Sequence, residues 1–311
     1  MNVPIAAASG FTSQSRNAGE LNSFGWEWDL KIRAIDHKDL KWDIAFNGAS
    51  IVNNVVKLAD GVQNISLGPF TTAEGRIQAG LPYGTIFANT LLSTPEGQLV
   101  TNANGLPLAD TRGLKNVGNP NPKWTGGVTN TISYKGLTLN FLIDIKVGGD
   151  ILSRVIGDIR RTGTGIETTS KERLGADGIP LRNYVIDGVV GSLNADGTIK
   201  TEGPNTTAIT AQQYWSGLYA FNFPGMFVMD GSWTRLREAS FSYALPKKLL
   251  AKSPFGNVEI GVNGRNLLLF TKVPYIDPEV GIGTNNGNTQ GIEFNTLPQS
   301  RTVGVFAKLS F

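Results

Sequence analysis

The chain contains no cysteine and only one histidine among its 311 residues. Without cysteine there is no disulfide framework and no thiolate chemistry. With one imidazole and no thiol, a tetrahedral zinc site and Ser-His-Asp or Cys-His catalysis are excluded on inventory. Charge is sparse too: Asp, Glu, Lys and Arg make up 17% of the residues, below the roughly 25% of an average soluble domain. The 28 basic and 25 acidic residues leave a formal charge of +3. They are scattered along the chain, which argues against a dedicated nucleic-acid surface. Long apolar runs are missing as well. Leu267-Leu-Leu-Phe270 is typical of the longest, and nothing approaches the ~20 apolar residues of a transmembrane helix. The first ten residues have no basic n-region and too short an apolar stretch for a signal peptide. A membrane role therefore has to be that of a β-barrel, and the start of such an exported protein is expected outside this chain.

What is present suits strands and turns: 38 glycines, 6 tryptophans, and much Asn and Thr. Phe24, Trp26, Trp28, Leu30, Ile32 and Ala34 alternate with Glu27, Asp29, Lys31 and Arg33. A side-chain period of two places these sets on opposite faces of a strand. After a polar turn at Asp36–Asp39 the pattern resumes with Trp42, Ile44 and Phe46, so the two strands read as a hairpin. Trp124–Tyr134 and Leu137–Lys146 form a second around Lys135-Gly136, where Gly136 supplies the positive φ of a two-residue turn. Ser232–Leu245 and Asn257–Phe270 form a third. Glu74–Gly80 and Tyr83–Leu92 are weaker candidates. The terminal Arg301–Phe311 places Val303, Val305, Ala307, Leu309 and Phe311 on one face, with Phe306 the only large apolar residue on the other.

Short turns at residues 35–40, 135–136 and 246–256 alternate with long Gly/Asn/Thr-rich connections, the longest at about 150–231. That asymmetry is the one found in outer-membrane barrels, whose long loops lie outside the cell. The expected architecture is all-β: about nine antiparallel strands forming the C-terminal portion of a transmembrane barrel. An odd set cannot close antiparallel, and an open edge in lipid leaves backbone groups unsatisfied. Partner strands are therefore expected beyond this chain. The alternative from another class is a soluble β-sandwich acting as a carbohydrate-binding module, in which the same alternation would bury a core.

Three stretches resemble the SusC/RagA branch of TonB-dependent outer-membrane transporters. The first is Gly118-Asn-Pro-Asn-Pro-Lys-Trp-Thr-Gly-Gly127, followed by Asn130-Thr131, Tyr134-Lys135-Gly136 and Gly148-Gly149-Asp150. The second is Asp230-Gly-Ser-Trp-Thr-Arg-Leu-Arg-Glu238 with Ser242-Tyr-Ala-Leu-Pro246, Gly264-Arg-Asn-Leu267 and Asp277-Pro-Glu279. The third is Pro298-Gln-Ser-Arg-Thr302 through Phe311. Asn17-Ala-Gly19 with Gly25 and Glu27, and Gly80-Leu-Pro82 with Gly84, fit the upstream part. The resemblance implies a barrel that is 22-stranded in full-length relatives, of which residues 1–311 would be the C-terminal segment without plug domain, TonB box or signal peptide. It implies the outer membrane of a Gram-negative bacterium and import of oligosaccharides or peptides. A SusD-like surface lipoprotein would be the partner, and the TonB complex would act only through the N-terminal plug, so this segment alone is not expected to transport. Phe311 would be the signal read by the barrel-assembly machinery.

Within that reading Asn140, Asp144, Lys146, Asn263 and Arg265 on the polar faces are the expected lumen liners. Trp26, Trp42 and Trp124 are the expected membrane girdle, where an indole has one apolar and one wet edge. Tyr214, Trp215, Tyr219, Phe221 and Phe223, late in the longest loop, are the candidate contacts for substrate or lipoprotein, because aromatic faces stack on sugars and anchor interfaces. The bland alternative is a cluster that orders the loop. No enzymatic role, cofactor, metal or nucleic-acid partner is expected. His37 reads as a solvated turn residue, and Glu27 and Asp29 read as cross-strand ion-pair partners. Asn194-Ala-Asp-Gly197 lacks the glutamate spacing of a calcium loop and reads as an Asp-Gly turn. Gly281-Ile-Gly283 and Gly163-Thr-Gly165 read as loop glycines.

Overall fold

In the computed structural model, residues 2–4, 7–11, 13–15, 17, 19–169, 173–282 and 289–311 are described. Ala18 and Gly283 lie outside them. One seven-stranded antiparallel meander dominates: β1 (Gly19–Asp36), β2 (Leu40–Leu58), β3 (Pro122–Tyr134), β4 (Leu137–Gly148), β5 (Trp233–Ala244), β6 (Asn257–Thr271) and β7 (Thr302–Ser310). Each strand pairs with its sequence neighbour, and β1 and β7 are the open edges. All nine expected segments contain strand. Two of them, however, fall outside this sheet. Ala73–Gln78 and Thr85–Ala88 join 64–69 and 115–118 in a separate four-stranded sheet. At six and four residues they are too short to cross a bilayer, which takes about 9–11.

Register fixes the two faces. Phe24, Leu30, Ile44, Val128, Ile132, Leu139, Ile143, Phe241, Val262 and Val305 share one face through successive cross-strand pairs. Several stay open: Phe24 is 72% exposed, Val303 77% and Val305 85%. Among the described residues no second sheet covers this face, which a sandwich would require. Asn130, a polar side chain inserted into it, is satisfied: the Trp42 indole N–H donates to its Oδ1 at 3.0 Å. Trp26 pairs with Ser50, and the Ser50 hydroxyl donates to the carbonyl of Lys123, the residue before Trp124. Trp26 and Trp124 therefore stand at one level, near the long connections, with Trp42 toward the short turns. From Ser50 to Trp42 along β2 is roughly 26 Å at ~3.3 Å per residue.

Local chemistry explains the geometry. Lys135 (φ 48°) and Gly136 (φ 90°) make the doubly left-handed turn that matches strand twist in a two-residue hairpin. Indole rings cover glycines on the apolar face: a Cβ on Gly126 would stand 2.5 Å from the Trp124 ring, and one on Gly48 2.8 Å from Trp28. Phe306 is accommodated on the polar face in the same way, its ring lying 2.6 Å from where a Gly261 Cβ would be. β1 and β2 run longer than the alternation predicts, to 18 and 19 residues. Their extension leaves the sheet and buries Val55 against Ile65 and Ile77 of the four-stranded sheet.

All three long connections lie at one end and fold into one layer. Ile151 and Leu152 pair with Met229 and Val228, and Leu152 and Ser153 pair in parallel with Ile292 and Glu293. Thr101 pairs with Val190. The buried clusters of the described residues lie in this layer and not between strands of the wall. Among the described residues no helix is long and apolar enough to cross a membrane.

Candidate functional site

The polar face of the sheet and the loop layer above it meet at a bulge in β5. Between Leu236, which opposes Ile143, and Glu238, which opposes Leu142, Arg237 is an extra residue. The partner strand is irregular at the same level, with Asn266 at φ 52°. A bulge re-aims side chains, and here it brings Arg235, Arg237 and Glu238 to the same polar side. Arg235 Nη2 donates to Asp277 Oδ1 at 2.6 Å, with both side chains 5% exposed or less. Arg237 is forked between two carboxylates, Asp144 Oδ2 at 2.7 Å and Glu279 Oε1 at 2.7 Å. It also donates to Asn266 Oδ1 at 3.2 Å. Two arginines of the wall thus hold Asp277-Pro-Glu279 of the third connection onto the sheet. Bidentate geometry makes such contacts directional as well as strong.

The five expected lumen residues all lie on the polar face, in three settings. Asn140, Asn263 and Arg265 border a shallow groove of about 380 Å³ with Phe306 and Lys308. Arg265 Nε is 3.0 Å from Glu238 Oε1, and Asn140 Nδ2 donates to Thr131 Oγ1 at 2.8 Å. Asp144 is engaged by Arg237. Lys146 borders a deeper cavity of about 420 Å³ under the loops, with Asp150, Trp233, Glu279 and Gly291. The structure does not gather the five into one site.

The aromatic segment lies on and after helix α2 (Ala211–Leu218), which opens with a capping box in which Thr210 and Gln213 satisfy each other's backbone N–H groups. Tyr214, Tyr219 and Phe223 pack against the cluster of Leu91, Tyr184, Ile186, Ile209 and Leu218. Trp215 stacks on Tyr219 with centroids 5.7 Å apart. Phe221 lies over Arg154, the guanidinium carbon 3.4 Å from its centroid, with Phe70 and Phe294 on further sides at 4.6 and 5.0 Å. Arg154 opens helix α1 (Arg154–Thr162) and is 3% exposed. Burial lowers its pKa, with Asp158 opposing. Much of the segment therefore orders the loop; Phe221 remains 45% exposed.

A second tie joins the third connection to the second. The Tyr275 hydroxyl donates to Glu167 Oε2, Arg160 Nε donates to Glu167 Oε1 at 2.7 Å, and the Ile166 N–H donates to Tyr275 Oη at 3.1 Å. Burial would raise the Glu167 pKa, but hydrogen bonds from Tyr275 and Arg160 outweigh it and hold the carboxyl below its usual range. Tyr275 sits at φ 67°, a strained position for a non-glycine residue.

Elsewhere the features are plain. His37 is exposed in its turn. Asn194–Gly197 is a turn in which the Thr198 N–H donates to Asp196 Oδ1 at 2.9 Å. Among the described residues no group of three His, Cys, Asp or Glu side chains is placed to hold a metal. Phe311, 88% exposed, stands beside Phe255 of the β5–β6 turn at 5.2 Å.

No family model matches the chain. TonB-dependent receptor P3 of Formosa agariphila is 28% identical over 335 residues, covering 99% of this chain and 30% of the relative. TonB-dependent receptor P26 of the same organism is 23% identical over 339 residues, covering 100% and 31%. The solved RagAB peptide importer in its closed-closed state superposes with a TM-score of 0.64 at 21% identity, over 99% of this chain and 32% of that one. The likeness to RagAB is one of fold. The likeness in sequence is to TonB-dependent receptors. The chain spans about three tenths of the length of the receptors it matches. The partial-barrel architecture agrees with the fold of RagAB over this stretch. Arg235, Arg237, Asp277 and Glu279, which lie in the stretches that carry the resemblance and are separated in sequence, are partners in space.

Proposed function

We propose that this chain forms part of the wall and external loop layer of an outer-membrane, TonB-dependent nutrient importer. The observation that carries the reading is the two-faced meander. Its uncovered apolar face has tryptophans at two levels, and its polar face is roofed by loops from one end only. Both edge strands carry backbone groups that must be paired in lipid, so further strands complete the ring. Asn140, Asp144, Lys146, Asn263 and Arg265 line the lumen, and Trp26, Trp42 and Trp124 form the girdle. The segment at about 150–231 is extracellular.

The cargo is a short oligosaccharide or peptide, and the cell-surface partner is a SusD-like lipoprotein that meets the loop layer near Phe221. Support comes from the RagAB fold likeness and from the loop layer itself, which has cavities and exposed aromatic surface where a solute would enter. Uptake needs no bond chemistry; energy from TonB would reach the solute path through a plug. Fractionation of the producing bacterium tests the reading. The receptor should sediment with outer membranes and be released only by detergent; release by salt or alkaline wash would overturn it.

A further inference from the structure

The loop layer contains a third cavity, of about 500 Å³, outside the polar face of the sheet. Its lining includes Arg161, Arg173, Thr210, Gln212, Trp215 and Ser216 and, among the described residues, no carboxylate. The volume lies within the range of small-ligand pockets. Arg173 is fixed at the wall by Nη2, which donates to the Thr168 carbonyl at 2.5 Å and to Thr168 Oγ1 at 2.7 Å. Arg161 spends Nη2 on Asp158 at 3.1 Å, while its Nε is buried with no hydrogen-bond partner. The Trp215 indole N–H is also buried without a partner. Buried donors are nearly always paired in native proteins. Two residues of one cavity thus carry orphaned donors, beside a second fixed guanidinium.

We infer that this cavity binds the carboxylate of an incoming solute, held by Arg161 and Arg173 with its body against Trp215. A guanidinium fork matches a carboxylate, and the indole, backed by Tyr219, offers a rigid apolar wall. The carboxylate can belong to the free end of a short peptide or to a uronic acid. The inference names the cargo chemistry of the importer proposed above and rests on that reading.

The test is calorimetric titration of the detergent-purified receptor carrying this segment. The probes are a dipeptide with a free or amidated C-terminus, glucuronate against glucose, and inorganic phosphate. Binding of a carboxylate probe should exceed that of its neutral counterpart by roughly tenfold or more, the scale of one charge-assisted hydrogen bond. The preferred carboxylate identifies its source. Arg161→Gln should erase the preference. Arg112→Gln, whose side chain pairs with Asp110 in another loop, should leave it intact. Equal binding of free and neutral probes, equal binding of phosphate, or equal loss in both variants would overturn the inference. Outer-membrane location with no carboxylate preference would sink the inference alone. A carboxylate preference in a receptor washed off by salt would sink the importer reading alone.

Discussion

Arg235 and Asp277 form a buried ion pair, 2.6 Å apart, between the fifth strand of the wall and the connection that precedes the last strand. Both side chains are buried, and without Asp277 the Arg235 guanidinium keeps only the longer contact to Glu279 Oε2, at 3.3 Å. Breaking such a pair costs about 3–5 kcal/mol. Asp277→Ala should therefore free the third connection from the wall. Limited proteolysis of the folded receptor should then cut within residues 272–301, with the wall still resistant. Unchanged resistance would show that Arg237 and Glu279 suffice.

The glycines beneath the tryptophans give a second prediction. A Cβ at Gly126 would meet the Trp124 ring at 2.5 Å and the Asn47 carbonyl oxygen at 2.6 Å. Because one of these atoms is backbone, the clash cannot be relieved by a rotamer change alone. Gly126→Val should cost about 1–3 kcal/mol, the range of overpacking. It should shift the urea midpoint down and red-shift tryptophan emission. Gly61→Ser makes a control for glycine replacement, since an added Cβ there would meet nothing, although its φ of 78° adds some backbone strain.

A third prediction concerns pH. Tyr275 and Arg160 hold the Glu167 carboxyl below its ordinary value of 4.5. A lowered folded-state pKa contributes stability that is present above the ordinary value and is lost as pH falls through the lowered one. The tie between the second and third connections should hold at pH 6 and loosen progressively below 4.5. Hydrogen exchange at residues 165–169 should quicken over that window. Tyr275→Phe removes the hydroxyl donor and should raise the pH at which exchange quickens. A profile that Tyr275→Phe leaves unmoved would refute the tie.

Much of the wall was legible in the sequence because a period of two survives translation into a half-exposed sheet. Trp26 through Ile32, Leu137 through Ile145 and Val303 through Leu309 fall on the faces their alternation dictates. Alternation also misled at residues 74–80 and 83–92, since a short strand in a packed loop sheet carries the same local pattern as a spanning one. The arginine cluster was missed for a different reason. Strict alternation puts Arg237 and Glu238 on opposite faces, one of them apolar. That conflict was the available signal for a bulge, and the partners Asp277 and Glu279 lie some forty residues away, beyond any local period. The aromatic run at 214–223 allowed both a contact surface and a cluster that orders the loop; which rings point inward depended on Tyr184 and Leu91, contributed by distant chain.

In the proposed importer the short turns and the long connections lie on opposite sides of a membrane. These 311 residues carry no cysteine, so Lys38→Cys in the β1–β2 turn and Ala195→Cys in the 194–197 turn, both at exposed positions, test it directly in a receptor kept free of other cysteines. Intact bacteria producing each variant of the receptor would be treated with a membrane-impermeant maleimide. The account predicts labelling of Ala195→Cys in intact cells and of Lys38→Cys only after the outer membrane is broken. Equal labelling of both in intact cells, or the reverse order, would contradict it.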